Sequence, residues 1–486
     1  MRHLFKTNNV RGMIIVQTMV FGAVAVVIIG ALASWAAIIV RSGRISFNRE
    51  QAFQSAEAGI DYYRWHLAHA STDYQDGTGS PGPYVHSLED KDGNTVGQFS
   101  LTITPPSPGS SLVQIRSVGL SAVDSSYPRT IVSRVAKPSV AEHAVAGNDA
   151  MRFGEGTEVF GSIHVNGGIR FDGLAHNIVS SSATTYNDPD HSGSDEIGVH
   201  THVKVPPQTG LNSGSTETNA NSIPSRPDVF EAGRQISQPS IDFSGFSADI
   251  GNLKTLAQGA TGFYRDAAGV GFVGYHIVLK TNDTFDLYKI NSWVPLGNCS
   301  SSDSVSWSVN TQTLQGNYAF PTSGVIFLQD HTVIDGQVDG ARLTIVAALL
   351  PDPGAATHKN MIINNDLSYT HYDGLDSVGL VGQGDVLVGM VSDDDLKIDG
   401  ALMAQNGRVG RPSYSNNGSN NCTYKNRSTI TLYGMIASYS RYGFAYTNGT
   451  GYSIRDINYD ANLLYAPPPS FPLTSDQYQI LSWQEE

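Results

Sequence analysis

Residues 13–40, MIIVQTMVFGAVAVVIIGALASWAAIIV, are 28 consecutive residues without a charge. A helix needs about 20 apolar residues, rising about 1.5 Å each, to cross the hydrocarbon layer of a bilayer, so this run is long enough. Arg2, Lys6 and Arg11 precede it, and a basic flank stays on the cytoplasmic side. The expectation is a single pass through the inner or cytoplasmic membrane with the body outside. A cleaved secretory signal carries a shorter apolar core, of about 7–15 residues, closed by a small-x-small site. Here the run ends at Arg41 and Arg44 instead.

The helical pattern continues past the charges. Ile45, Arg49, Ala52, Phe53, Ala56, Ile60, Tyr63 and Leu67 recur at steps of three and four, which marks one face of an amphipathic helix. Residues 13–69 then predict a rod of about 85 Å. A simple anchor has no need of such length. A subunit that packs lengthwise against copies or relatives of itself does.

The leader MRHLFKTNNVRG, ending in Gly12 and followed at once by an apolar helix, resembles the prepilin class of signal. The stretch REQAFQSAEAGI at 49–60 resembles the segment that follows the membrane helix in PilX-type minor pilins of type IV pili. The resemblance covers roughly residues 8–65 and implies several things. Prepilin peptidase is a processing partner, cutting after Gly12 to leave Met13 as the first mature residue. Other pilin-like subunits pack against the helix that carries Gln17 and Glu57. Most pilins have Glu at the fifth mature position, where this chain has Gln17.

Fifty Gly, 22 Pro and only 15% charged residues suit a strand-rich body with many turns. Stretches 95–104, 112–122 and 129–137 read as antiparallel strands against the exposed half of the helix. The predicted fold class is therefore α+β: a pilin-like module with a small sheet over 70–140, then a mainly-β domain over 141–486. Short β runs with Gly, Asn or Asp corners at 144–173, 324–349 and 378–409 suggest a β-solenoid, with a β-sandwich as the alternative. An α/β insertion is expected at 186–320. It contains a polar loop (186–228), a helix at 247–258 capped by Ser247 and ended by Gly259, and a hairpin of 275–280 with 285–290. Segments 226–234, the 247–258 helix, 275–278, 404–407 and 467–483 resemble the large C-terminal domain found behind PilX-type helices.

Chemistry is sparse. A net charge of −14 with no basic stripe argues against nucleic acid. No GxSxG, Walker loop or HExxH is present, so no catalytic residue and no cofactor is expected. His200 and His202 would share a face on a strand, with Asp188, Asp190 and His191 nearby, but a polar loop reads as solvated histidine, and no metal is expected. Asp393–Asp395 likewise read as a solvated turn rather than a calcium site. Cys299 and Cys422 either pair outside the membrane or stay free. Seven tyrosines (433, 439, 442, 446, 452, 459 and 465) offer either a contact surface or core packing. The expected function is a minor pilin-like subunit of a pilus or pseudopilus, at the tip, that presents its body for assembly or adhesion to a surface glycan or protein. The alternative is a membrane-tethered glycan-binding protein or glycan-active enzyme.

Overall fold

Residues 11–69 contain no proline, and nothing in them interrupts the hydrogen-bond ladder of a helix. In the computed structural model, which describes residues 11–106, 111–243, 246–475 and 477–486, they form one helix, α1 (Arg11–His69). The basic leader over residues 1–10 lies outside the described residues. The chain divides into two units. One comprises the residues up to Pro105 with Val113–Val135 and Ser482–Glu486; the other comprises 106–112 with Ala136–Leu481.

In the first unit, every described side chain from Met13 to Arg44 is exposed. Burial begins at Asn48 and follows one stripe through Ala52, Ser55, Ala56, Ile60, Tyr63 and Leu67. Arg49, expected on this face, points to solvent, and Asn48 and Ser55 take its place. Between Ala52 and Ala56 the stripe is small because the helix there lies very close to its sheet. Strands β1 (Tyr84–Glu89), β2 (Thr95–Thr104), β3 (Val113–Ser121) and β4 (Arg129–Ala136) form an antiparallel meander. A Cβ on Gly119 would stand 2.0 Å from the Ala52 carbonyl oxygen and 2.3 Å from the Ala56 nitrogen. Only glycine admits that approach of helix backbone to strand. The end of the chain returns to this sheet: Glu486 N–H donates to Thr130 O at 3.0 Å, and Trp483 meets Phe53 edge-on at 5.9 Å.

The second unit is built from parallel ladders. One runs through 263–265, 325–328, 342–347, 377–382, 401–404, 436–438, 145–147, 163–165, 179–181 and 234–235. Its register stacks Ile326, Ile345, Leu380, Leu402, Ile436, Val145, Ile163 and Val179 in one row. All are buried in the main core. The adjacent row, Phe327, Val346, Val381, Met403, Ala437 and Ala146, faces the other way, as the two-residue period of a strand requires. Helix α2 (Phe246–Gln258) covers it with Phe246, Ile250, Leu253 and Ala257. That helix starts one residue before Ser247, the expected cap.

A second ladder stacks Leu367, Ile398, Leu432, Ile457, Val159 and Ala175. Two long strands, Asp395–Ala404 and Asn426–Ser438, serve both ladders and turn at Gly400 and Gly434. These glycines stack so closely that a Cβ on Gly434 would lie 1.9 Å from Gly400 O. Stacking order departs from chain order, because 145–147 pairs with 436–438. Residues 263–280, expected within an insertion, pair in the ladders as well. The hairpin appears as Gly274–Lys280 against Thr284–Trp293.

Gly119→Ala should destabilise the first unit by about 1–3 kcal/mol, because its Cβ meets backbone that cannot yield. Gly154→Ala, with nothing within 4 Å of its Cβ, should be neutral. Thermal melts of the full chain in detergent read both.

Candidate functional site

Two places carry chemistry or contact potential. The first is α1. Gln17 lies in its exposed apolar half, and Glu57 is exposed on the half that carries the sheet. Gly12 and Met13 stand in its first turn. The window of α1 that is apolar enough to span a bilayer buries none of its residues within the protein. Among the described residues the helix leaves this apolar surface uncovered.

The second lies in the body, where the loop expected to be solvated is instead tightly held. Thr185–Tyr186 pairs with Glu196–Ile197, and Val199–His200 runs parallel to Ile169–Phe171. That second pairing sets His200 beside Arg170 and continues the ladder onto Met151–Phe153. It carries His200, His202 and Glu196 out of solvent, at 0%, 1% and 0% exposed. Asp188 is also buried, and His191 is nearly so. The sequence-based reading of solvated histidines is corrected here. Parallel pairing with a distant strand buries them, whatever the polarity of the loop. Glu196 was missed altogether, and no local signal marked it. Asp190 turns away to Arg441 and Arg152.

One potential ligand atom from each of Asp188, His191, Glu196, His200 and His202 falls within 4.8 Å of all the others. Glu196 Oε2 is the hub. It lies 2.8 Å from His191 Nε2, 2.9 Å from His200 Nε2 and 3.2 Å from His202 Nε2. Asp188 Oδ2 lies 3.5 Å from both His191 Nε2 and His200 Nε2. The outer atoms are held by the backbone. Thr216 N–H donates to Glu196 Oε1 at 2.7 Å, and Asp190 N–H donates to Asp188 Oδ1 at 2.9 Å. His202 Nδ1 faces Asn212 O at 3.1 Å, and His191 Nδ1 faces Ser192 O at 3.3 Å. Further out, Arg170 pairs with Asp172 at 2.7 Å, and Asp172 accepts from His202 N–H at 2.9 Å.

Burial alone would raise the Glu196 and Asp188 carboxyls. Contact with His200 and with backbone amides outweighs it, and both are held well below the usual carboxylate range. Burial would lower His200, but Asp188 and Glu196 raise it on balance.

The other sequence candidates fall as follows. Asp393, Asp394 and Asp395 are exposed at the start of a strand. Of the tyrosines, 442 and 452 are buried, 433, 446, 459 and 465 are half-buried, and Tyr439 is exposed. Core packing thus accounts for most of them. Cys299 and Cys422 form a disulfide with a Cα–Cα distance of 4.6 Å, buried beside Met390 and Tyr414. It ties Cys299–Ser301 to the loop after Tyr414–Asn416, two segments that also pair as strands.

No family model matches this chain, and no curated protein sequence matches it. Among solved structures it is similar to the competence-associated pilin ComZ from Thermus thermophilus. Identity is 15%, the match covers 90% of this chain and 97% of that one, and the TM-score is 0.33. That score is too low to establish a shared fold.

The disulfide closes 123 residues of chain, so reduction, or Cys299→Ser with Cys422→Ser, should cost about 2–4 kcal/mol of body stability. Denaturant unfolding with and without reductant measures the loss.

Proposed function

We propose that this chain is a minor pilin-like subunit of the PilX type, non-enzymatic, anchored by α1 and carrying a solenoid-like body outside the cell. One observation carries the reading. A single helix leaves its apolar half bare of protein and packs its other half under an antiparallel sheet. Such a helix suits a membrane first and a bundle of like helices afterwards. The parallel ladders support a solenoid, since most of their strands stack on a strand beyond their chain neighbour.

On this reading the chain is a single-pass prepilin with a cytoplasmic leader, and prepilin peptidase cuts between Gly12 and Met13. Cleavage frees an amine in or near the membrane, where an unpaired charge is costly. A pilin with Glu at the fifth mature position can offer that charge to a neighbour's amine; Gln17 offers only hydrogen bonds. A subunit at the tip has no earlier-docked neighbour to neutralise. Residues 70–486 are also a large bulk to repeat along a fibre. Both points support a tip position.

Intact mass of the native protein should give a chain beginning at Met13; a start near residue 40 contradicts prepilin processing. Gold-labelled antibody against the body should mark filament ends, and uniform label along the shaft contradicts the tip position. Gln17→Glu should permit incorporation along the shaft.

A glycan-binding role has one observation in its favour. A cleft of about 590 Å³ in the body is lined by Arg152, Arg408, Arg441, Phe444, Tyr446 and Tyr452, a mixture of aromatic faces and guanidinium donors. Tyr446→Ala should abolish any glycan binding detected by titration of the purified chain.

A further inference from the structure

We propose that Asp188, His191, Glu196, His200 and His202 bind one divalent transition-metal ion, Zn²⁺ in the first instance, which pins the 187–216 loop onto the coil formed by 151–171. The inference is independent of the filament role.

The protons carry the argument. A ring nitrogen that faces a carbonyl oxygen must bear the hydrogen. His202 Nδ1 faces Asn212 O and His191 Nδ1 faces Ser192 O, so in each neutral ring Nε2 holds a lone pair. Both Nε2 atoms point at Glu196 Oε2, which also holds lone pairs, at 3.2 and 2.8 Å. Lone pair against lone pair repels unless a shared cation lies among them or each ring carries a second proton. This is also the usual outer arrangement of metal-bound imidazole, with the distal N–H fixed by a carbonyl.

His200 gives a second, separate indication. It is fully buried, and neither ring nitrogen makes a hydrogen bond. Its Nε2 is 2.9 Å from Glu196 Oε2, yet it is not aligned for hydrogen bonding. Buried polar nitrogens are rarely left so, because each costs the desolvation of that group. A shared ion at the centre would partner Nε2 and explains why that atom aims there without a hydrogen bond; Nδ1 stays unpartnered.

The carboxylates fit the same reading. Glu196 and Asp188 each give one oxygen to a backbone N–H and turn the other inward. The donor set is three imidazole nitrogens and two carboxylate oxygens, with no thiolate. Calcium and magnesium prefer all-oxygen shells, whereas imidazole with carboxylate suits zinc and its first-row neighbours. Two carboxylates and one dication sum to zero charge, which suits a buried place. With its donors on a loop and on a strand joined to the coil, the ion would act as a structural clip.

The test uses the full chain with a histidine-free tag, purified in detergent without chelator. Elemental mass spectrometry should find about one zinc per chain, as a closed structural site holds. Dipicolinate should lower the melting temperature of the wild-type chain, and added Zn²⁺ should restore it. His200→Ala with His202→Ala should hold under about a tenth of an equivalent, since two ligands are gone. His371→Ala, an exposed histidine elsewhere, should bind as the wild type does. Zinc retained by the double variant would overturn the assignment. Where that variant fails to fold, the wild-type titration decides. No uptake of Zn²⁺, Co²⁺, Ni²⁺, Fe²⁺ or Mn²⁺ and no shift in melting would leave a purely protonated histidine–carboxylate network and overturn the site.

Discussion

Water is a poor solvent for the surface that residues 13–40 present. Each Val, Leu, Ile or Phe left bare forgoes about 1.5–3 kcal/mol of burial, and the run contains little else of comparable size. Nothing among the described residues covers it. The helix can nonetheless form, because each backbone group is paired inside the segment, as a bilayer demands. Its lower half answers a different demand. From Ala52 to Gly59 the packed side chains are Ala, Ser and Gly, so that β2 and β3 can lie almost against the helix backbone, and Ile60, Tyr63 and Leu67 follow. One continuous helix thus carries an apolar half that fits a membrane anchor and a half packed under a sheet.

The body meets burial by stacking. Alternate residues of each strand enter opposite layers, so one ladder supplies both an interior row and an outer row. An outer apolar row needs a cover, and α2 provides it. The helix lies in the stretch that leads from 234–235, at one end of the first ladder, to 263–265 at the other. This explains why a lone helix interrupts an otherwise β sequence.

Much of this was legible because its signals are local. An uncharged run, a three-four periodicity, a capped stretch at 247–258 and a hairpin loop at 281–284 each announce themselves within a dozen or so residues. Register was not legible, because it joins residues hundreds of positions apart: Ala146 pairs with Ala437. The histidine cluster failed to show for the same reason. Its loop looks solvated by composition, and only pairing with 169–171 buries it. Glu196 carried no mark in a chain with many carboxylates. The amphipathic face of α1 was read almost correctly. Arg49 was assigned where Asn48 belongs, since glycine-lined sheet backbone accepts a small polar residue and not a long cation.

The account rests on α1 being covered by lipid or by other helices along its apolar half. Both native cysteines are consumed in the disulfide, so one introduced thiol can be followed alone. Membranes from cells that express Phe21→Cys and, separately, Val123→Cys would be treated with a membrane-impermeant maleimide under non-reducing conditions, after opening both faces to the reagent. Val123 is 76% exposed just beyond β3, and Phe21 is 71% exposed on the bare helix. The account predicts full labelling at 123 and almost none at 21 until detergent is added. Equal labelling at the two positions in intact bilayers would contradict it.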